Sequence, residues 1–292
     1  MNKIIKKYEK EGIVQITVFD ERWYQKGDTF VPSVTWIAGH YPKGTQFYKW
    51  LAQKGWDEAE AIKSAAGDKG SKVHYAIEDL LQGKEITMES EYINPSTEQK
   101  EKLTLKEYEC LLSFRDWFNL VQPKNIKSEF VIFNDKIGYA GTVDITCEIG
   151  GETYLIDFKT GQSLWPEHDL QLSAYNEVVK AKKMAILQLG YARNKNKWKF
   201  TELENKFPLF LAAKQIWANE NAGVEPKKYE WPEKITLTVR VPVTGTINSK
   251  TEKVVYKRKI KQKYERNKTV QQLRTTRKVS PRRSIEANGK AV

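Results

Sequence analysis

Residues 141–159 read GTVDITCEIGGETYLIDFK, and this stretch decides the fold. Two β-rich runs flank Gly150-Gly151, the signal for a two-residue hairpin turn. Such a turn pairs Ile149 with Glu152, which sets Asp144 opposite Asp157 and Thr142 opposite Lys159. Alternation then puts Val143, Ile145 and Cys147 on one face with Tyr154, Ile156 and Phe158, and Asp144, Asp157 and Lys159 on the other. Two directly opposed carboxylates, roughly 5 Å apart at Cβ, repel unless a cation stands between them. A divalent ion such as Mg²⁺ or Mn²⁺ suits oxygen ligands at that spacing, and Lys159 adds a second positive charge. The competing reading is an ordinary amphipathic hairpin with a charged outer face.

Working outward, residues 13–19 and 30–37 read as short strands, and residues 44–66 are rich in helix formers and aromatics. Lys69-Gly70-Ser71 opens a helix that runs to Leu81 and stops at Gly83. Val73, Ile77, Leu80 and Leu81 form its apolar stripe, with His74 and Glu78 one turn apart on the flank. Glu78 either orients His74 or faces solvent. Thr104-x-x-Glu107 is a capping box that starts a helix to about Val121. Strands are expected at 129–133, 139–149 and 153–160, a helix over 169–183, a strand near 185–191 and a helix over 207–219. Gln171 and Tyr175, one turn apart, face the same place. Trp36, Trp50 and Trp56 are expected in the core, and His40 and His168 have no evident partners. Residues 221–232 read as a linker, followed by a β-hairpin over 235–260 and a polar tail.

Charge is placed unevenly along the 292 residues, whose net charge is +12. From Val224 onward there are 19 Lys+Arg against 6 Asp+Glu, whereas the first 223 residues carry 30 against 31. A neutral body with a basic end implies a polyanionic partner, DNA or RNA, met by that end. A solubilising tail is the plainer alternative. With 40% apolar residues the chain has enough material for a core, and no apolar run is long enough to span a membrane. Two cysteines, Cys110 and Cys147, are too few for a disulfide framework and read as buried thiols of a reducing cytoplasm. No Walker-A or HExxH sequence is present.

Several motifs in order resemble one family. Gly141 and Asp144 form GxxD, Asp157 and Lys159 form DxK, and Gln171 and Tyr175 form QxxxY. Upstream, Gly70-Ser71-Lys72-Val73-His74 with Glu78 resembles a helix motif of the same group. The series is similar to the RecB-like branch of the PD-(D/E)XK nucleases. Residues 31–35 (VPSVT) and 42–44 (PKG) resemble the N-terminal region of its phage-encoded exonucleases. The likeness covers residues 30–220 and implies an α/β fold: a mixed central sheet flanked by helices, a restriction-endonuclease-like core. Residues 1–222 would form this nuclease domain, and 223–292 a basic extension of hairpin and tail. The resemblance further implies Mg²⁺- or Mn²⁺-dependent hydrolysis of DNA phosphodiesters, in phage-type recombination, repair or replication within a bacterial or archaeal host. His74, Glu129, Asp144, Asp157 and the carbonyl of Phe158 would hold the metal. Lys159, Gln171 and Tyr175 would complete the catalytic set. Relatives with a four-cysteine iron–sulfur cluster are no guide, because this chain has two cysteines. A silent DNA-binding module, or a subunit docked to a helicase, are the alternative readings.

Overall fold

The structure is a computed structural model and describes residues 5–18, 21–224 and 226. The expected C-terminal hairpin and tail lie outside the described residues.

The chain opens with an antiparallel meander, β1 (Ile5–Lys10), β2 (Ile13–Val18), β3 (Glu21–Lys26) and β4 (Thr29–Pro32). The strand expected over 30–37 breaks at Ser33. Its Oγ accepts the amide of Trp36 and so caps α1 (Val34–Ala38). Then come α2 (Thr45–Lys54) and α3 (Trp56–Leu81). Helix α3 runs unbroken through Lys69-Gly70-Ser71, so the expected start there is corrected to Trp56. Gly67 and Gly70 are therefore helix-interior residues, with no backbone role of their own.

A small pair, β5 (Glu91–Ile93) and β6 (Lys100–Lys102), precedes α4 (Leu105–Val121). The expected capping box is present: Glu107 N donates to Thr104 Oγ1, and Thr104 N donates to Glu107 Oε2 at 2.7 Å. After it come β7 (Lys124–Asn134), β8 (Tyr139–Ile149), β9 (Glu152–Lys159), α5 (Pro166–Val179), β10 (Lys183–Leu189), β11 (Trp198–Leu203) and α6 (Phe207–Glu220).

Five of these strands make the central sheet, in the order β11-β10-β9-β8-β7. Only β9 and β10 run parallel, through the crossover helix α5. The sheet is therefore mixed and helix-flanked, as expected. Alternation on β9 and β10 divides the core in two. Leu155, Met184 and Ile186 pack with α1, α5 and α6. Tyr154, Ile156, Phe158, Ala185, Leu187 and Leu189 pack with α3 and α4. Full burial of each such side chain contributes about 1.5–3 kcal/mol, enough to pin the strand register.

Trp23, Trp36 and Trp217 meet edge-to-face, with ring centroids 5.0–6.0 Å apart. Trp56, expected in the core, is 68% exposed instead. Both thiols are buried and free. Among the described residues, no helix is long and apolar enough to cross a membrane.

Candidate active site

The hairpin turn pairs Ile149 with Glu152 as its Gly-Gly requires, and the register holds to Ile145↔Ile156. There the ladder stops, one step short of Asp144 and Asp157. The Asp144 carboxylate takes over the role of a strand carbonyl: Phe158 N donates to its Oδ2 at 2.7 Å. The two acids are thus offset rather than paired across the ladder.

The face assignment is corrected as well. Val143 packs in the α1/α5/α6 cluster, while Ile145 and Cys147 pack in the α3/α4 cluster. Strand β8 changes the face it presents at Asp144. Across from it, the β7–β8 ladder pairs Ser128 with Ile145 and Phe130 with Val143 but skips Glu129. Glu129 has φ 48°, a left-handed conformation that costs a non-glycine residue about 1–2 kcal/mol. Both strands are irregular at one level, and that level holds the acids.

Helix α3 supplies the next group. His74 Nε2 lies 3.1 Å from the carbonyl oxygen of Phe158. Its Nδ1 lies 3.4 Å from Asp144 Oδ1 and 3.9 Å from Glu129 Oε1. His74, Glu129 and Asp144 each offer a ligand atom, all within 4.8 Å of one another. Glu78 does not orient His74; it pairs with Lys10 at 3.8 Å.

On the opposite side of the sheet, helix α5 holds Asp157. Gln171 Nε2 donates to Asp157 Oδ1 at 2.8 Å, and Lys159 Nζ stands 2.6 Å from Oδ2. Among the described residues, the Lys159 ammonium alone meets the charge of buried Oδ2. The imidazole and two carboxylates gathered within 4.8 Å, with Asp157 beside them, form a donor set that suits a divalent ion. Gln171 Nε2 also donates to Tyr175 Oη at 3.3 Å. The Tyr175 ring lies over Gly141, where a Cβ would come within 2.4 Å of Cε1. The glycine of GxxD therefore exists to admit the tyrosine of QxxxY.

The electrostatics follow from burying this many charges together. Burial alone would push His74 down, but Asp144, Glu129 and Asp157 outweigh it and raise it to about 9. Burial, reinforced by Asp144, raises Glu129 to about 8. Burial raises Asp157 to about 6 against the pull of Lys159. Asp144 resists burial and is held below its usual range by His74, Lys159 and the Phe158 amide. Lys159 resists burial too, raised by Asp157 and Asp144, and stays an ammonium. A ligating imidazole must be neutral, so a proton and a metal compete for His74.

Several neighbours were not legible as site residues. Gln188 faces Lys159 across the parallel ladder and donates to the carbonyl of Gly161 at 2.9 Å. Its signal was a lone polar residue in the buried run MAILQL. Tyr24 Oη lies 3.2 Å from Thr142 Oγ1, a contact between separate sheets that no local pattern carries. His168 accepts from Trp165 N at 3.3 Å, and burial beside Lys159 and Lys43 drives it down to about 3. His40 bonds to the Trp36 carbonyl and lies 3.3 Å from Glu220.

No known family profile and no curated protein matches the chain. Among solved structures it is similar to the protein SSO0001, at 16% identity and a TM-score of 0.28, over 37% of this chain. The chain spans 57% of SSO0001's length. It is also similar to an alkaline exonuclease, LHK-Exo, from Laribacter hongkongensis. That likeness has 11% identity and a TM-score of 0.34, and covers 64% of this chain and 86% of that one. Both likenesses are too loose to define an activity.

Proposed function

We propose that the chain is a divalent-metal-dependent DNA nuclease of the PD-(D/E)XK type, a phage-type exonuclease working in the cytoplasm of a bacterial or archaeal host. The observation that carries this is the convergence of His74, Glu129 and Asp144 within 4.8 Å, beside the ion pair of buried Asp157 with half-buried Lys159. Support comes too from the contacts that join the motif residues: His74 with Asp144, Asp144 with the Phe158 amide, and Asp157 through Gln171 with Tyr175. A silent binding module has no use for three carboxylates gathered about one imidazole and one lysine.

In this reading His74, Glu129, Asp144, Asp157 and the Phe158 carbonyl would hold Mg²⁺ or Mn²⁺. When bound, such an ion supplies charge for a phosphate oxygen and lowers the pKa of water. The protein's own part is positioning. Gln171 fixes one oxygen of Asp157 and leaves the other toward Lys159. Lys159, charged at any working pH, faces the scissile phosphate and stabilises the negative charge that builds during in-line attack. Tyr175, held as a neutral phenol by burial, keeps Gln171 in place.

The test uses purified full-length protein with linear and circular DNA, single- and double-stranded, in Mg²⁺, Mn²⁺ or EDTA. Degradation of linear DNA that stops in EDTA supports the proposal. No degradation under any metal, with DNA still bound, returns the silent-module reading.

A further inference from the structure

Residues 190–200, GYARNKNKWKF, contain four cations and no acid, within a body that is otherwise nearly neutral. Residues 190–197 form the connection between β10 and β11, and 198–200 open β11. Because β10 runs parallel to β9, with Gln188 opposite Lys159, this connection leaves the sheet at the edge where the site stands. Tyr191 is three residues past Gln188. At about 3.3 Å per residue it lies within roughly 10 Å of the Lys159 level.

The turn is held firmly. Gly190 N donates to Ser113 Oγ at 3.0 Å, and the Gly190 carbonyl accepts from Gln162 Nε2 at 2.9 Å. Ala192 N donates back to Gln162 Oε1 at 2.8 Å, so the loop after Lys159 and the basic turn are clamped together. Gly190 needs its φ of 64°, and a Cβ there would meet Cys110 Sγ at 2.8 Å. Tyr191 N donates to Lys197 O at 2.6 Å, and Asn194 Nδ2 donates to Trp198 O at 2.7 Å.

On this mount Arg193, Lys195 and Lys197 are exposed, and none is paired with a carboxylate among the described residues. Other lysines of the same region are paired: Lys180 with Glu177, Lys182 with Glu152, Lys183 with Glu202, Lys206 with Asp169. Lys199 lies over the Tyr191 ring at 5.8 Å. Like charges fixed together repel unless a polyanion approaches, and a rigid mount lowers the entropy cost of gripping one.

We propose that the turn 193–197 is a phosphate grip for the substrate strand, holding the DNA backbone a few nucleotides from the scissile bond. The proposal rests on the nuclease reading and adds where the folded body, as distinct from the basic C-terminal end, touches DNA. It reads charge and not sequence, since three exposed cations recognise phosphates without reaching base edges.

The test is a triple variant of the full chain, Arg193→Gln, Lys195→Gln and Lys197→Asn. Asparagine is chosen because Lys197 has φ 59°, which asparagine tolerates. Binding of a labelled oligonucleotide, duplex or single-stranded, is measured in EDTA at several salt concentrations. Three lost phosphate contacts should flatten the log–log salt slope by about two to three. The charge-keeping variant, Arg193→Lys with Lys195→Arg, should retain the original slope. An unchanged slope in the triple variant, with DNA bound as tightly as before, overturns the grip and leaves the nuclease reading standing. An unsubstituted chain that binds no DNA at any salt overturns both.

Discussion

A β-carbon on Gly141 would sit 2.4 Å from Tyr175 Cε1 and 2.8 Å from its Oη, so one missing side chain positions a ring, an amide and a carboxylate in turn. Gly141→Ala is expected to destabilise the protein by about 1–3 kcal/mol, the usual cost of overpacking. It should also lower DNA hydrolysis, because displaced Tyr175 frees Gln171 from Asp157. Denaturant melts and cleavage rates on the same preparation check both; wild-type values for both would remove the coupling. Lys159→Ala is expected to reduce hydrolysis by at least about 100-fold, the loss typical of one charge-stabilising group, with circular dichroism unchanged. Near-normal turnover would deny Lys159 its role. At this scale the sequence indicates which residues come together better than how they meet. Period-two alternation placed Asp144, Asp157 and Lys159 together. It could not reveal that Asp144 would leave the ladder to bind the Phe158 amide, because that needs β8 to change faces between Val143 and Ile145.

Elements were legible where a local chemical signal marks an end. The Gly150-Gly151 turn gave β8 and β9 their register, and Thr104 with Glu107 gave α4 its start. They were illegible where the signal misleads or is weak. Ser33 lies in a β-branched run and reads as strand, yet its hydroxyl caps α1. Strands β3 and β11 alternate poorly and were missed. Gly70 reads as a helix boundary although α3 continues through it, and a Cβ there would meet only Thr160 Oγ1, at 4.0 Å. Gly70→Ala is therefore expected to stabilise the protein by about 0.5–1 kcal/mol through helix propensity. The shift of the denaturant midpoint measures it, and a clear loss of stability would contradict a continuous α3.

At the scale of the whole molecule, the site makes stability depend on pH. Without metal, His74 keeps a proton up to about 9, so its contribution is complete below about 6.5 and is lost as pH rises through about 9. Glu129 and Asp157 are raised to about 8 and about 6, so the fold holds protons that the unfolded chain releases. Their contributions also vanish on going up in pH. Asp144, lowered by His74 and Lys159 after its burial is offset, acts oppositely, and its contribution is lost only as pH falls below its ordinary range. The melting temperature in EDTA is thus expected to fall between pH 5 and pH 9, by about 2–4 °C for each kcal/mol lost. A flat profile would mean the four groups are not buried together. Charge asymmetry along the chain was legible from composition alone, but the basic turn at 193–197 was not, because three cations among 292 residues mean nothing until β10 carries them to the site edge.

Mn²⁺ binding to the intact protein, followed by calorimetry at pH 8 and compared with Asp144→Ala, tests the central claim most directly. Asp144 touches both His74 and the Phe158 amide, so it is the residue the ligand set can least spare. A saturable site is expected in the unsubstituted chain, with proton release on binding as His74 is neutralised, and at least tenfold weaker binding in the variant. At 100 times its Kd, the ion should add about 2.7 kcal/mol of stability. Identical isotherms for the two proteins, or no saturable binding in either, would contradict that claim.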